Sequence, residues 1–217
     1  MRQIFPGVYR KGDSLFTANL VPGQRIFTKK LATLRGREYR EWDPWRSKPA
    51  AAILKGLKAF PVKRGSSLLY LGIANGTTAS FFSDIIGPEG IIYGVEVSER
   101  SIRDINPLAE KRGNIVPILA NARLPETYSW IEKVDVVYQD VATDDQSEIL
   151  IRNCQAFLKQ KGHAMIAVKA RSIDVTKAPK EVYARELRKL GKHFRILDKR
   201  ELDPYERDHL FAVLHFL

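Results

Sequence analysis

The stretch Leu68–Thr78, LLYLGIANGTT, decides the fold: an apolar run closes in a glycine-bearing turn, and a helix-like segment follows. A buried parallel strand feeding such a turn and a helix N-terminus forms the cofactor corner of a doubly wound α/β sheet, because glycines let backbone amides approach a ligand closely. The glycines here are Gly72 and Gly76. Residues 91–97, IIYGVEV, read as the next strand and carry Glu96 near its end, where a carboxylate can accept from two ribose hydroxyls. The spacing Gly72-x-x-x-Gly76 departs from G-x-G-x-x-G, so no pyrophosphate is required of the ligand, and S-adenosyl-L-methionine fits better than NAD. On the turn alone, a purely structural strand–turn–helix stays open as the alternative.

Outward from this stretch the pattern alternates. Strands are expected at Leu68–Gly72, Ile91–Val97, Ile115–Leu119, Val134–Gln139, His163–Lys169, His193–Lys199 and Leu210–Phe216, and helices at Thr77–Ile86, Glu99–Arg112, near Pro125–Glu132, Asp145–Lys159 and Pro179–Leu190. Strands separated by helices imply right-handed βαβ units and a mostly parallel sheet. The last two strands are joined by a segment too short for a helical crossover, so that pair is expected to be antiparallel. The expected class is therefore α/β, a Rossmann-like class I methyltransferase sheet of seven strands. Residues 1–46 differ: Pro6-Gly7, Gly12-Asp13, Pro22-Gly23 and Arg35-Gly36 punctuate short β-prone runs, giving a small β-rich lobe built as a meander or a pair of hairpins. Ser47 can cap a helix through KPAAAILKGLKAF, with Pro61 as its stop, which divides the chain into a lobe at 1–46 and a main domain at 47–217.

The 217 residues suffice for one α/β core with a modest addition. No apolar run reaches membrane-span length and Met1–Arg10 lacks the apolar stretch of a signal peptide, so a cytoplasmic protein with no membrane partner is expected. Cys154 is the single cysteine and the four histidines are scattered, which argues against a disulfide or a structural metal. The net charge of +11 is unevenly placed: residues 65–217 balance, and the excess lies in residues 1–64. Between Arg25 and Arg64, twelve cations, Lys29, Lys30, Arg35 and Arg40 among them, face only Glu38, Glu41 and Asp43. Such a patch suits a polyanion, or else is a solvated face that serves solubility. Tyr39, Trp42 and Trp45 interleave with it; stacking on bases is open to them, but the tryptophans read better as core or as packing against the main domain.

Ligands of an open parallel sheet sit beyond the carboxyl ends of its strands. The site candidates are accordingly Gly72–Thr78, Glu96-Val97, Asn121-Ala122, Asp140–Thr143 and Lys169. Asp140 and Lys169 follow strands expected to neighbour the glycine-turn strand, so a carboxylate and an amine can face one cleft; a Lys–Asp pair that is only structural is the alternative.

These residues, taken with YREWDPWRSK (39–48), GTT (76–78), YGVEVS (93–98), VDVVYQDVATDDQ (134–146), VKARSIDVTK (168–177) and DPYERDH (203–209), resemble fibrillarin in its short archaeal form, from about Arg37 to Leu217. The resemblance implies an RNA ribose 2′-O-methyltransferase acting on ribosomal and transfer RNA. Beside the turn glycines Gly72 and Gly76, it places S-adenosyl-L-methionine on Thr77, Thr78, Glu96, Val97, Asn121, Ala122, Asp140, Val141, Ala142 and Thr143. It puts a Lys-Asp-Lys-His set on Lys48, Asp140, Lys169 and His209, although His209 also reads as a strand-end residue that satisfies a backbone group. The implied partners are box C/D guide RNA and target RNA, a Nop-domain scaffold protein and a kink-turn-binding protein of ribosomal type. Four positions depart from the family pattern: Asn75 replaces a small residue, Val97 an aromatic ring, Asn121 an aspartate and Thr143 a glutamine. That substituted pocket leaves open a second reading, a structural, weakly active or inactive subunit of the same particle. An NAD-dependent dehydrogenase is a third, disfavoured by the missing glycine and by the basic lobe.

Overall fold

A computed structural model describes all 217 residues. The first 42 form an antiparallel sheet of β1 (Arg2–Phe5), β2 (Val8–Lys11), β3 (Ser14–Ala18), β4 (Leu31–Leu34) and β5 (Arg37–Trp42), in the order β1-β2-β3-β5-β4. It combines a three-strand meander with a hairpin whose second strand closes on β3. The hairpin turns in two residues, Arg35 at φ 51° and Gly36 at φ 75°, because positive φ at both positions matches the twist of the flanking strands.

Helix α1 (Lys48–Leu54) follows, with Pro49 in its first turn, and ends well before Pro61: Gly56 at φ 86° turns the chain away. Then come β6 (Ser67–Leu71), α2 (Thr77–Ile86), β7 (Ile91–Glu96), α3 (Glu99–Arg112), β8 (Ile115–Leu119), a 3₁₀ turn at Pro125–Tyr128, β9 (Val134–Gln139), α4 (Gln146–Phe157), β10 (Leu158–Lys169), α5 (Ala170–Ile173), α6 (Pro179–Leu190), β11 (Phe194–Glu201) and β12 (His209–Phe216). The seven strands lie in the order β11-β12-β10-β9-β6-β7-β8, parallel from β10 to β8, with β12 antiparallel to both its neighbours. The Rossmann-like class and the antiparallel end are as the pattern predicts. Two local expectations are corrected. The helix expected to run to Lys159 yields at Phe157 to a strand that starts at Leu158, and the helix near residue 125 is a single 3₁₀ turn. No helix is long and apolar enough to cross a membrane.

The sheet order sets the position of the site. From β6 the chain runs outward through β7 and β8, then returns to the other side of β6 with β9, so the strand order reverses between β6 and β9 while the strands stay parallel. Gly72 and Asp140, the residues after those strands, flank that switch point. Lys169 ends β10, which is separated from β6 by β9, so it does not adjoin the glycine-turn strand as expected.

The lobe is packed on the main sheet through a shared core. Trp42, fully buried, stacks on Phe81 of α2 at 5.4 Å and meets Phe82 edge-on. Beside it Asp84 of α2, with no exposed side-chain area, takes hydrogen bonds from Thr17 Oγ1 (2.6 Å), the Leu20 amide (2.9 Å) and Arg40 Nε (2.9 Å), and pairs with Arg112 of α3. Arg40 also donates to the Ile26 and Ser80 carbonyls. Burial draws the Arg112 guanidinium down to about 10, with the Asp84 charge opposing. Arg40, read above as part of a surface patch, is thus a buried tie between the lobe and the helix that opens at Thr77. Removing one member of such a pair strands an uncompensated buried charge at a cost of about 3–5 kcal/mol.

Candidate active site

Two glycines make the floor possible. Gly72 has φ 79°, and a Cβ there would stand 2.5 Å from the Asp140 carbonyl oxygen; Gly76, at φ 83°, would push one to 2.7 Å from Leu108 Cδ2. Any side chain at Gly72 would drive β6 and β9 apart at their carboxyl ends. The turn is tied down from both sides: the Gly72 amide donates to the Val95 carbonyl and the Asp140 amide to the Leu71 carbonyl, each at 2.9 Å.

A cavity of about 330 Å³ opens above that floor, lined by Gly72, Glu96, Val97, Asn121, Ala122, Asp140, Val141, Ala142 and Thr143 from the sequence-derived set. Gly76, Thr77 and Thr78 do not line it. Asn75 Oδ1 accepts from the Thr77 amide (3.3 Å) and hydroxyl (3.0 Å), and Thr78 Oγ1 lies 2.9 Å from Ser47 Oγ, so these threonines are turned to the opening of α2. The Glu96 carboxylate is shaped by three backbone donors, Ala74 (3.0 Å) on one oxygen and Val97 (3.0 Å) and Ser98 (2.9 Å) on the other. Val97, 70% exposed, stands at the mouth. Asn121 Oδ1 accepts from the Arg123 amide at 3.0 Å, which leaves one lone pair for a ligand donor.

Ala74, within the Gly72–Thr78 turn, also lines the cavity, and sequence reasoning missed Val95, Ala120, Arg123 and Ile149, which complete the wall. Val95 and Ala120 adjoin residues it did single out. Arg123 had no such signal, since what fixes it is a two-pronged bond to Asp145, Nε to Oδ2 and Nη2 to Oδ1, both 2.7 Å, with Asp144 at 3.2 Å. The same guanidinium holds the Asp145 carboxyl below the usual carboxylate range.

Beyond the cavity the candidate reacting groups gather from three strand ends and one helix start. Lys48, the first residue of α1, places Nζ 2.9 Å from Asp140 Oδ2, and Tyr138 Oη lies 3.5 Å from the same oxygen. The amine paired with Asp140 is therefore Lys48, while Lys169 is tied through its backbone, its amide donating to Gln146 Oε1 at 2.9 Å. Lys169 and His209 are direct partners across β10 and β12, because the antiparallel course of β12 brings its first residue to the carboxyl edge of β10. His209 is buried, and its Nδ1 donates to the Arg207 carbonyl at 2.7 Å. The neutral ring thus has its free lone pair on Nε2. Burial pushes its pKa below the ordinary histidine value, the Arg207 carbonyl opposes this, and the Lys48 charge adds to the depression.

The donor set fits an adenosyl ligand. An acidic residue stands at the end of β7, a glycine floor admits close approach, and Asn121 Oδ1 keeps an acceptor lone pair on the cavity wall.

The fibrillarin family model matches residues 1–216. The chain belongs to the fibrillarin family. The fibrillarin-like rRNA/tRNA 2′-O-methyltransferase of Pyrococcus furiosus is 50% identical over 216 residues, which cover 97% of this chain and 95% of that protein. The solved fibrillarin of Aeropyrum pernix, with natively bound S-adenosyl-L-methionine, matches at TM-score 0.86 and 51% identity, covering 93% of this chain and 88% of that one. A fibrillarin solved in complex with Nop5p matches at TM-score 0.87 and 42% identity over the whole of both chains. The fold and the family expected from the sequence are the ones found.

Proposed function

We propose that this fibrillarin-family chain transfers a methyl group from S-adenosyl-L-methionine to a ribose 2′-hydroxyl of ribosomal and transfer RNA. In this reading it works inside a box C/D ribonucleoprotein with a Nop-domain scaffold and a kink-turn-binding protein, the guide RNA selecting the target nucleotide. The observation that carries the reading is the Lys48–Asp140 pair at the lip of a cavity that ends in Glu96. The names and the cofactor of its fibrillarin relatives support it.

Bound in that cavity, S-adenosyl-L-methionine supplies a methyl carbon already activated by a sulfonium. The chain's own task is to align the acceptor and to manage one proton. Glu96 would receive the cofactor ribose, and Asn121 and Thr143 would meet the adenine end. Asp140 orients Lys48 and offers negative charge to the sulfonium side. With Lys48 engaged by Asp140, the proton released as the 2′-oxygen takes the methyl group would be received on the Lys169 side of the cleft. His209, register partner of Lys169, holds that side of the cleft. Residues 47–217 serve as the methyl-transferring unit and residues 1–46 as a basic lobe.

Lys169→Ala and Asp140→Ala in a reconstituted particle should each lower methyl transfer by about 100-fold or more while the chain stays folded. Wild-type rates in folded Lys169→Ala would remove that lysine from the proton path. The substituted pocket does not favour the non-catalytic reading: exposed Val97 leaves the cavity open, and Asn121 keeps an acceptor lone pair.

A further inference from the structure

Trp45 belongs to neither core. It is 59% exposed, and its ring is held at 5.0 Å from the ring of Tyr205 with planes 70° apart, a T-shaped contact that fixes the indole while leaving much of it in solvent. The two rings come from distant segments that end at the reaction centre. Trp45 stands three residues before Lys48, and Tyr205 four before His209. Both loops also carry an exposed arginine, Arg46 and Arg207. A held, solvent-facing aromatic on arginine-bearing loops that lead into Lys48 and His209 has the composition and the place of a stacking platform for nucleic-acid bases.

A second exposed tryptophan on the same chain provides the contrast. Trp130, 62% exposed, packs edge-on against Tyr93 at 6.1 Å. It precedes β9, so it lies toward the amino edge of the sheet, opposite the end at which Asp140 stands. Exposure alone therefore does not mark Trp45; its place beside Lys48 does.

We propose that Trp45, buttressed by Tyr205, is a positioning residue that stacks on an RNA base adjoining the ribose presented to Lys48 and Asp140. The proposal rests on the RNA methyltransferase reading above and assigns the surface that sets the ribose against the amine. Stacking there costs little ordering, since the Tyr205 contact already fixes the ring. It discriminates weakly among bases, because every base offers a π-face, and so leaves choice of target to the guide.

The test compares wild type, Trp45→Ala, Trp45→Phe and Trp130→Ala in the reconstituted particle, with transfer from labelled S-adenosyl-L-methionine measured against RNA concentration. Trp45→Ala should raise the KM for RNA by about 5- to 100-fold, with cofactor affinity unchanged by calorimetry. Trp45→Phe should recover most of the loss, and Trp130→Ala should behave as wild type. In a Trp130→Phe background, a short unpaired oligoribonucleotide should quench the Trp45 fluorescence, buried Trp42 contributing a constant signal. An unchanged KM in Trp45→Ala overturns the proposal, as does a loss that follows failure to bind the scaffold protein in pull-down. Absence of transfer by wild type would instead count against the enzymatic reading, so the two failures are distinguishable.

Discussion

Replacing Glu96 by glutamine alters a carboxylate that already serves three backbone amides. Oε1 accepts from Val97 and Ser98 at 3.0 and 2.9 Å, and Oε2 from Ala74 at 3.0 Å. Glutamine can keep the first pair through its carbonyl, but must set an NH2 group where Oε2 stood, against the Ala74 N–H. Because that amide is near solvent, water can take over its hydrogen bond, and the stability loss should stay within about 1 kcal/mol, a shift of ~2–4 °C for a chain of this size. The ligand fares worse. A ribose hydroxyl that would donate to Oε2 meets a donor instead, and a hydrogen bond to a charged group is worth ~1.5–3 kcal/mol, so S-adenosyl-L-methionine should bind about 10- to 150-fold more weakly. Calorimetric titration beside a melting curve measures both quantities. Affinity within twofold of wild type would refute the assignment of Glu96 to the ribose, and a large fall in melting temperature would show that the carboxylate chiefly holds the turn.

Asp84→Asn should destabilise the chain by about 3–5 kcal/mol in denaturant titration, because Arg40 and Arg112 then face each other buried without a counter-charge; a change under 1 kcal/mol would show that the network is not a tie. Val97→Phe combined with Asn121→Asp should tighten cofactor binding by about tenfold, through a ring against adenine and a charged acceptor for its amino group, and weaker binding would mean that the pocket has a different shape around the base. Reversing Lys29, Lys30 and Arg35 to glutamate should reduce the slope of log affinity for single-stranded RNA against log salt by about 2, whereas an unaltered slope would assign the patch to solubility or to a protein contact.

Much of the fold was legible because it is written locally. Apolar runs gave β6 to β9, and the helical patterns between strands placed α2, α3 and α6. The cavity residues followed from one rule, that ligands sit beyond strand ends, applied to Glu96, Asn121 and Asp140. What escaped depends on contacts between distant residues. Nothing near Arg40 in sequence says that its charge is spent on Asp84, 44 positions away. Lys48 reaches Asp140 across 92 positions, so the pairing of Asp140 with Lys48 rather than Lys169 required the sheet order. The insertion of β12 between β10 and β11 is likewise a choice of edge, which the hydrophobic pattern of a strand does not encode. Helix ends were misjudged where one backbone angle decided them, as at Gly56.

The central claim, methyl transfer to a ribose 2′-oxygen, is tested most directly by changing a single atom of the acceptor. Two target RNAs are offered to the reconstituted particle with labelled S-adenosyl-L-methionine, identical except that one carries 2′-deoxyribose at the guided position. Label should enter the all-ribose target at that one nucleotide and be absent from the deoxy target, while both RNAs bind equally well. Equal labelling of the two, or label recovered on a base, would contradict the account.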